Sequence, residues 1–486
     1  MTAHRDIFAR LVRSAMGPVR LCCPSTMPCG ELVARMAETE VDCAVITGAD
    51  GTIAGLVTDN DVTRRIAFKL PAETPVAEVM TRPVFTVAAT DYLYRAVALM
   101  QRRRLHRLPV VDEAGRPIGI LDQREALAVT SERLIRQAKL LTPDGSADGM
   151  RAVKQAQAEL AHELLEDNLP ALEIQAILNE INNDIYRAVA RAAKEAMVED
   201  GWGEPPAECG IVVMGSGGRG ESFLRPDQDN GFILADYPDR KHNAIDTYFI
   251  EFAGRLTRDL DAVGFPYCNG NVMATNPLWR KTLTQWKEHV SLWGRRRSGV
   301  AMLHADIFFD FRVVEGPRAL ETSLRRHAIE MARTKPRFLH AMATNESHHM
   351  VGLGWFDRLV TDDSEGPHQG HVNLKRNGTL PIVEAVRLYA LRDGIEDTAT
   401  LARLDRLTEM GVFGRDQHDY WKAAFVHLTT LLLRQQVADV LCGRTPGNYL
   451  DPASLSARQR TELVAHLKRV EELSARARAD FTGEIL

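Results

Sequence analysis

The first third of the chain contains one sequence pattern twice, and this repeat is the strongest constraint on what the chain can fold into. The first copy, ARMAETEVDCAVITGADGTIAGLVTDNDV, begins at Ala34, and the second, ALMQRRRLHRLPVVDEAGRPIGILDQREA, begins at Ala98. The two copies align without a gap, so that Gly55 falls on Gly119. Each copy is predicted to form an amphipathic helix, a short strand, a Gly-containing turn, a second strand and a further helix.

This repeat resembles a tandem pair of CBS domains over residues 15–130, most clearly in GLVTDND of the first copy and LPVVDEAGRPIGIL of the second. The resemblance implies a regulatory module in which the copies fold back to back and bind adenine nucleotides in the clefts between them. It also implies a homodimer formed through the pair. In matching motifs a Thr and an Asp contact the ribose and phosphate, and these residues are Thr58 and Asp61 here. A carboxylate can accept from both ribose hydroxyls, and a hydroxyl can donate to phosphate.

Thr58 and Asp61 also fit a purely structural role. Thr58 could cap the following helix, and Asp61 could stabilise the first turn of that helix. The two roles can coexist, and the sequence does not separate them. The second copy has Asp122 and Glu125 at the matching positions, and the charge of Asp122 would repel a phosphate. At most one conventional nucleotide cleft is therefore predicted.

The segment 215–230, GSGGRGESFLRPDQDN, follows a short apolar run, GIVVMG, that is predicted to be a buried strand. Its glycines fit the fingerprint of dinucleotide-binding folds, and Asp236 lies near the position of a ribose-binding acid. That interpretation predicts nicotinamide or flavin binding. Two features weigh against it. Pro226 would end the helix after little more than two turns, and the carboxylates of Asp227 and Asp229 would repel a pyrophosphate unless metal ions intervene.

The same segment makes chemical sense with metal ions. Asp227 and Asp229 are two residues apart, so on an extended strand both would point to one face and could together bind Mg²⁺ or Mn²⁺. Gly215 and Ser216, at the start of a helix, offer N–H groups and a hydroxyl to a triphosphate. Arg219 could add positive charge beside the leaving pyrophosphate.

This combination resembles the polymerase-beta-type nucleotidyltransferase superfamily, in the form of bacterial PII-uridylyltransferase-like proteins that carry CBS domains. The resemblance continues through YCNGNVMATNPLWRKTLTQWKEHV, ADIFFDFRVVEG and NLKRNGTLPIVEAVRLYAL. It implies a third metal-binding carboxylate on a neighbouring strand. In ADIFFDFR, Asp306 and Asp310 would share one face if the run is extended. The resemblance favours Asp310, and Asp306 is the alternative.

The length of 486 residues exceeds what one hydrophobic core usually serves, so several domains are expected. Helical spacing follows the repeat and returns after Pro317, while GWGEPPAECG marks a boundary between the helical connector and the transferase motif. The predicted fold class is multidomain α+β. Its predicted parts are a tandem CBS regulatory module at 1–130, a helical connector at 131–200, a polymerase-beta-like nucleotidyltransferase domain at 201–318 and a helical substrate-binding domain at 319–486.

These features predict metal-dependent transfer of a nucleoside monophosphate from a nucleoside triphosphate to a hydroxyl of a protein or small molecule, regulated by the CBS pair. Asp227 and Asp229 would position the metal ions, and Asp310 would help to activate the acceptor. No HD hydrolase pair is apparent, so the resemblance to PII uridylyltransferases does not extend to reversal of the modification. The alternative is a non-catalytic, nucleotide-sensing protein of signal transduction. The sequence leaves the nucleotide, the acceptor and the CBS ligand open.

Charge and hydropathy narrow the range of partners. The net charge of −5 provides no global field for nucleic acid, and no apolar run approaches the length needed to span a bilayer. We therefore expect a soluble, cytoplasmic protein that binds neither membranes nor nucleic acid. Two further predictions concern single residues. Lys375 either contacts a substrate phosphate or is simply exposed at a helix start, and Trp279 and Trp286 serve chiefly in packing.

Overall fold

The computed structural model describes residues 11–67, 69–103, 105–123, 126, 146–166, 168–295, 299–346 and 350–483. Glu125, the second-copy counterpart of Asp61, lies outside the described residues. The chain divides into two compact units, Met1–Thr142 and Pro143–Leu486. Within the described ranges, no helix is long and apolar enough to cross a membrane.

The first unit contains both copies of the repeat, each with a three-stranded sheet. The first copy consists of β1 (Cys22–Pro24), α1 (Cys29–Glu38), β2 (Cys43–Thr47), β3 (Ile53–Thr58) and the short α2 (Asp59–Asp61). The second copy consists of β4 (Val87–Ala88), α3 (Leu93–Arg103), β5 (Arg107–Val111) and β6 (Pro117–Asp122). In each copy the first strand is parallel to the second, and the second is antiparallel to the third.

Strand register shows that the two copies are one structural unit used twice. Ile46 pairs with Gly55 in the first copy and Val110 pairs with Gly119 in the second, so both partners are displaced by the same 64 residues. A bulge follows each of these pairs. Both glycines are closely packed, because a Cβ on Gly55 would lie only 2.3 Å from Sδ of Met80 and a Cβ on Gly119 only 2.7 Å from Sδ of Met16. The predicted repeat of α/β units is therefore confirmed.

The second unit is built on one mixed sheet. Its strands are β7 (Cys209–Val213), β8 (Asn230–Leu234), β9 (Arg280–Thr282) and β10 (Arg312–Glu315). Their order is β10-β7-β8-β9, in which β7 is antiparallel to both of its neighbours and β8 is parallel to β9. The helices of this half are α4 (Ala147–Glu166), α5 (Ala171–Glu199), α6 (Gly215–Arg219), α7 (His242–Val263), α8 (Leu283–Trp293), α9 (Gly299–Phe308) and α10 (Arg318–Arg333).

The C-terminal part of this unit is mostly helical, as predicted. It contains α11 (Pro336–Glu346), α12 (Leu380–Asp393), α13 (Thr400–Glu409), α14 (Arg415–Leu441) and α15 (Ala457–Thr482). Two short strands, β11 (Val372–Asn373) and β12 (Tyr449–Leu450), form an antiparallel pair between these helices.

The helices predicted to form a connector are packed into the second unit. α4 and α5 contact each other and α7, and α5 also contacts β10. Nε of Arg187 on α5 donates a hydrogen bond to the carbonyl oxygen of Val314 over 2.9 Å. Residues 131–145 of the predicted connector lie outside the described residues. The described part therefore belongs to the same compact unit as the segment 215–230.

An aromatic core lies against β8. Trp279 and Trp286 are each 1% exposed, which confirms that they serve in packing. The indole Nε1 of Trp286 donates to the carbonyl oxygen of Phe232 over 2.9 Å, and its ring stacks on Phe308 with centroids 5.0 Å apart. This packing fixes β8, and the loop that carries Asp229 leads directly into that strand.

Candidate active site of the second unit

The segment 215–230 begins with a tight turn directly after β7. Gly215 has a φ of +55° and Gly220 has a φ of +76°, values that favour glycine because a Cβ would be strained there. The helix α6 is short because the left-handed Gly220 ends it. The sequence set Pro226 as the latest possible end of this helix, and the structure ends the helix earlier, at Gly220.

Gly218 allows α6 to approach the turn that holds Asp310. A Cβ on Gly218 would lie 1.6 Å from the backbone oxygen of Asp310, a distance that no side chain can adopt. A Cβ on the neighbouring Gly217 would lie 3.5 Å from its nearest neighbour, the side chain of Val213, which is an ordinary contact. Of these two glycines, only Gly218 is required by packing.

We expect Gly218→Ala to destabilise the second unit by about 3 kcal/mol, because the backbone of α6 or of the facing turn must move. Gly217→Ala is the matched control, and we expect it to change stability by less than about 1 kcal/mol. All six tryptophans lie between Trp202 and Trp421, so tryptophan fluorescence during thermal unfolding reports on this unit alone. Equal unfolding midpoints for the two variants would show that the close approach is unimportant.

Asp227 and Asp229 lie in the loop before β8 and not on an extended strand as predicted. The N–H of Asp229 donates to the carbonyl oxygen of Asp227 over 3.1 Å, so the backbone turns between the two residues. The N–H of Met214 donates to the carbonyl oxygen of Asp229 over 2.9 Å, which holds this loop against the end of β7. Oδ2 of Asp229 is only 3.1 Å from the ideal Cβ position of Gly215. The Asp229 carboxylate therefore adjoins the first turn of α6.

The electrostatic surroundings of Asp229 are mixed. Burial raises the pKa of Asp229 to about 6, and the nearby charge of Asp227 adds to this effect. A hydrogen bond from the thiol of Cys268 and the charges of Lys375 and Arg219 oppose it. Burial lowers the pKa of Lys375, while its attraction to Asp229 acts in the opposite direction. Lys375 is therefore a half-buried cation beside the carboxylates, and simple exposure at a helix start does not describe it.

Two clefts open beside this segment, and each encloses about 330 Å³ of empty volume. The first cleft includes Asn179, Asn182, Asn183, Asp227, Asp229 and Phe265 in its wall. The second cleft includes Gln175, Arg219, Phe223, Lys375, Val383 and Phe425. Ser216 lines both clefts, so they meet at the first turn of α6. Asp227 and Asp229 line the first cleft, whereas Arg219, Lys375 and Glu221 line the second.

The run ADIFFDFR was predicted to be extended, but the structure shows that it is not. α9 continues to Phe308 and β10 begins only at Arg312, so Asp306 lies in a helix and Asp310 in the turn that follows. The aromatic core explains the difference, since Phe308 and Phe311, three residues apart, stack with ring centroids separated by 4.9 Å. The two acidic residues therefore do not share one face of a strand.

Asp310 lies in a buried cluster of arginines. Its carboxylate oxygens lie 2.7 Å from Nη1 of Arg219, 2.8 Å from Nη1 of Arg387 and 2.7 Å from Nη1 of Arg403. Asp306 also pairs with Arg387. Across the described residues, no three His, Cys, Asp or Glu side chains are placed to hold one metal ion. The structure thus does not bring Asp310 together with Asp227 and Asp229, because three guanidinium groups already compensate its charge.

Three family models match the chain. The CBS domain model matches residues 12–68 and 76–132. A model described as "Putative nucleotidyltransferase DUF294" matches residues 155–299, and one described as "Putative nucleotidyltransferase substrate binding domain" matches residues 336–481. This chain belongs to the DUF294 family in a form that carries a CBS pair. The DUF294 match begins within α4, in agreement with the packing of α4 and α5 into the second unit.

Individual relatives are similar over about a quarter of the chain. Uncharacterized protein MJ1404 of Methanocaldococcus jannaschii is 33% identical over 117 residues, which are 24% of this chain and 28% of that protein. CBS domain-containing protein CBSCBSPB1 of Arabidopsis thaliana is 35% identical over 121 residues, or 24% of this chain and 22% of that protein. The chain thus spans about a quarter of the length of these relatives.

One similar solved structure is the CBS domain protein PAE2072 from Pyrobaculum aerophilum complexed with AMP. It is 25% identical and covers 27% of this chain and 98% of its own, with a TM-score of 0.24.

In the CBS pair, Thr58 and Asp61 cap α2 reciprocally. The N–H of Thr58 donates to Oδ2 of Asp61 over 3.0 Å, and the Thr58 hydroxyl lies 2.9 Å from the same oxygen and 3.4 Å from the N–H of Asp61. The structural role predicted for this pair is confirmed, and its nucleotide role stays a prediction. In the second copy, Asp122 forms an ion pair with Arg107, so its charge is compensated.

The contacts between the C-terminal domain and the segment 215–230 were not predicted from the sequence. The hydroxyl of Thr398 donates to the carbonyl oxygen of Gly218 over 2.9 Å, and the N–H of Thr400 donates to Oε1 of Glu221 over 2.6 Å. Nε of Arg219 donates to Oε2 of Glu221 over 2.7 Å. Glu221 therefore joins the transferase motif to the start of α13, and Arg219 is held by two carboxylates while it lines the second cleft.

Proposed function

We propose that this DUF294 protein transfers a nucleoside monophosphate from a nucleoside triphosphate to a hydroxyl group of an acceptor. The observation that carries the proposal is the position of Asp227 and Asp229 beside Ser216, with Lys375 close enough to act on both carboxylates. Metal ligands and phosphate-binding groups are thereby available side by side. The match to the DUF294 family supports the same chemistry.

The donor set at this site suits Mg²⁺ or Mn²⁺, which prefer carboxylate oxygens. Among the described residues, neither Asp227 nor Asp229 has an ion-pair partner within 4.0 Å. Burial of an unpaired carboxylate is costly, and a divalent cation would remove that cost at Asp229. When bound, the cation would neutralise developing charge on the phosphates. We assign Asp227 and Asp229 as its ligands, and we leave Asp310 out of this set.

In the proposed reaction, the acceptor oxygen forms a bond to the α-phosphorus, and the bond from that phosphorus to the β-phosphate bridging oxygen breaks. Pyrophosphate leaves with the electron pair of the broken bond, and the hydroxyl proton is released to solvent. Ser216 donates a hydrogen bond to a phosphate oxygen. Lys375 and Arg219 place positive charge beside the pyrophosphate, in the second cleft. The contribution of the protein is mainly positioning and charge neutralisation.

The acceptor we propose is a protein or a small molecule, as in the PII-uridylyltransferase-like proteins that the sequence resembles. The match of residues 336–481 to a substrate-binding domain supports binding of the acceptor by the C-terminal helices. Val383 and Phe425 from these helices provide apolar surface in the second cleft. We further propose that the CBS pair binds an adenine nucleotide at Thr58 and Asp61 and regulates the transfer.

Metal-dependent nucleotide binding tests the proposal. The full chain is titrated calorimetrically with the α,β-methylene analogue of each common nucleoside triphosphate, with and without Mg²⁺, and separately with AMP alone. We expect at least one analogue to bind only when Mg²⁺ is present, and AMP to bind without it. Failure of every analogue to bind with either Mg²⁺ or Mn²⁺ would refute the proposed transfer. Binding without any turnover of the true triphosphates would instead favour the non-catalytic sensor.

A further inference from the structure

Three asparagines of α5 form a polar ridge along the first cleft. Asn179, Asn182 and Asn183 lie three and four residues apart, so they occupy one face of the helix. All three line the cleft that also contains Asp227 and Asp229. The hydroxyl of Ser222 donates to Oδ1 of Asn179 over 2.9 Å. The side chain of Asn182 is oriented instead by contacts from α4.

Lys154 and Gln157 on α4 determine which way the Asn182 amide points. Nζ of Lys154 lies 2.9 Å from Oδ1 of Asn182 and 2.9 Å from Oε1 of Gln157. Nζ donates to both of these oxygens, and a protonated Lys154 allows no other arrangement, because an ammonium group can only donate. Nε2 of Gln157 donates to the same Oδ1 of Asn182 over 2.8 Å. The amide Nδ2 of Asn182 is therefore turned away from α4.

This arrangement leaves a buried hydrogen-bond donor without a partner. Asn182 is 4% exposed, and its Nδ2 has no acceptor among the residues that the structure describes. Lys154 is also buried, forms no ion pair with a described carboxylate, and lies 4.3 Å from the centre of the Phe265 ring. Burial lowers the pKa of Lys154 to about 7. Buried donors without partners are rare in proteins, and such groups at a cleft are typical of ligand-binding sites.

The distribution of charge indicates which part of a nucleotide would meet this donor. Arg219, Lys375 and Glu221 line the second cleft, so cations outnumber carboxylates there. The first cleft has Asp227 and Asp229 but no cation among the described residues of its wall. An uncharged amide beside Phe265 and Tyr186 suits the uncharged nucleoside better than the phosphates. Because Ser216 lines both clefts, a triphosphate can extend across it with its nucleoside in the first cleft.

We propose that Nδ2 of Asn182 donates a hydrogen bond to an uncharged oxygen of the nucleoside, either a sugar hydroxyl or a base carbonyl, and so contributes to nucleotide selection. Lys154 and Gln157 are positioning residues that hold the amide in this orientation. The proposal rests on the proposed function, since it specifies the nucleotide-binding part of the same site.

Asn182→Asp tests the proposal because it separates binding from stability. The substitution keeps the oxygen that accepts from Lys154 and Gln157, and it supplies Lys154 with a carboxylate partner, so we expect the unfolding midpoint to stay the same or rise. The donor is lost, and we expect binding of the α,β-methylene nucleotide with Mg²⁺ to weaken about 10- to 100-fold. Asn243→Asp, at an exposed position of α7, is the control with the same change of charge.

Inorganic tripolyphosphate with Mg²⁺ provides the second probe. We expect its affinity to change less than about 3-fold in Asn182→Asp, because the lost contact is to the nucleoside. Analogues that lack the 2′- or 3′-hydroxyl identify the oxygen. If the contact is to the sugar, Asn182→Asp does not weaken binding of the analogue that lacks the contacted hydroxyl. If the contact is to the base, the substitution weakens binding of both analogues. In that case the adenine nucleotide, which has no carbonyl, binds the unsubstituted chain most weakly.

An equal loss of affinity for tripolyphosphate would overturn the proposal, because the contact would then be to phosphate. Nucleotide binding that Asn182→Asp leaves unchanged would overturn this inference alone. Failure of the unsubstituted chain to bind any of the nucleotides would overturn the proposed function together with it.

Discussion

Asp229→Asn is expected to reduce nucleotidyl transfer by about 10³-fold, because it removes one of the two carboxylates assigned to the metal ions. The fold should survive this change. Asp229 has no ion-pair partner within 4.0 Å among the described residues. Burial outweighs the attraction of Lys375 and Arg219 and raises the pKa of Asp229 to about 6, so a neutral amide should cost little stability. The measurement is the rate at which the full chain transfers the α-phosphate label of each nucleoside triphosphate in turn to the acceptor, with Mg²⁺ and a cell extract as the source of acceptor.

The control for this variant is Asp239→Asn, which makes the same chemical change at an exposed position of the same unit. We expect Asp239→Asn to keep the full rate and both variants to keep the unfolding midpoint of the unsubstituted chain. Full activity of Asp229→Asn would show that the metal ions are bound elsewhere. A large drop in the unfolding midpoint would instead show that Asp229 is a structural residue.

Arg403→Met is expected to destabilise the second unit by about 3 kcal/mol. Arg403 is 2% exposed, its Nη1 lies 2.7 Å from Oδ1 of Asp310, and its Nε donates to the carbonyl oxygen of Asp397 over 2.7 Å. Removing this cation leaves the negative charge of the buried Asp310 carboxylate less well compensated. This lowers the free energy of unfolding more than the loss of an exposed ion pair does. Urea unfolding followed by tryptophan fluorescence reports on this unit and checks the value.

Arg406→Met is the matched control for Arg403→Met, because it removes the same kind of side chain from the same helix, α13. Arg406 is mostly exposed, and its Nη1 pairs with Glu409 over 3.1 Å. Exposed pairs contribute little, so we expect a change below about 1 kcal/mol. Similar losses for the two variants would contradict the structural role of the arginine cluster. In that case Asp310 would again be a candidate for the metal site.

Local pattern was enough to predict the repeated part of the fold. The helices and strands of the CBS pair are short, regular and set by spacing within each copy. The turn glycines stand at matching positions, and the Gly55 and Gly119 pairings have the same register. The strand β7 could also be predicted from the sequence, because GIVVMG is a continuous apolar run. In the structure all of Cys209–Val213 is buried.

Sequence spacing did not predict the end of α9 or the partners of Asp310, because both depend on interactions between distant segments. Alternation in ADIFFDFR favoured a strand, but the aromatic core draws Phe308 and Phe311 to one side and extends α9. The role of Asp310 depends on Arg387 and Arg403, which lie far away in the chain. One local feature did point to the cluster. Glu384 and Arg387 interrupt the otherwise apolar run VEAVRLYAL, and charges in such a run require buried partners.

The site itself was predicted in part. Ser216, Arg219, Asp227 and Asp229 line two clefts that meet at the first turn of α6, and Gly215 adjoins the Asp229 carboxylate. Their local geometry differs, since the D-x-D residues lie in a turn. The asparagine ridge and Lys154 could not be placed from the sequence, because the segment LNEINND is typical of any amphipathic helix until its packing against α4 and β10 is known.

Double labelling of the nucleoside triphosphate tests nucleotidyl transfer most directly. The full chain is incubated with Mg²⁺, a cell extract as the source of acceptor, and triphosphates labelled with ³²P at either the α- or the γ-phosphate. We expect the α-label to appear on the acceptor and the γ-label to appear in pyrophosphate, with both signals lost in Asp229→Asn. Transfer of the γ-label to the acceptor, or its release as inorganic phosphate without α-label transfer, would contradict nucleotidyl transfer by this protein.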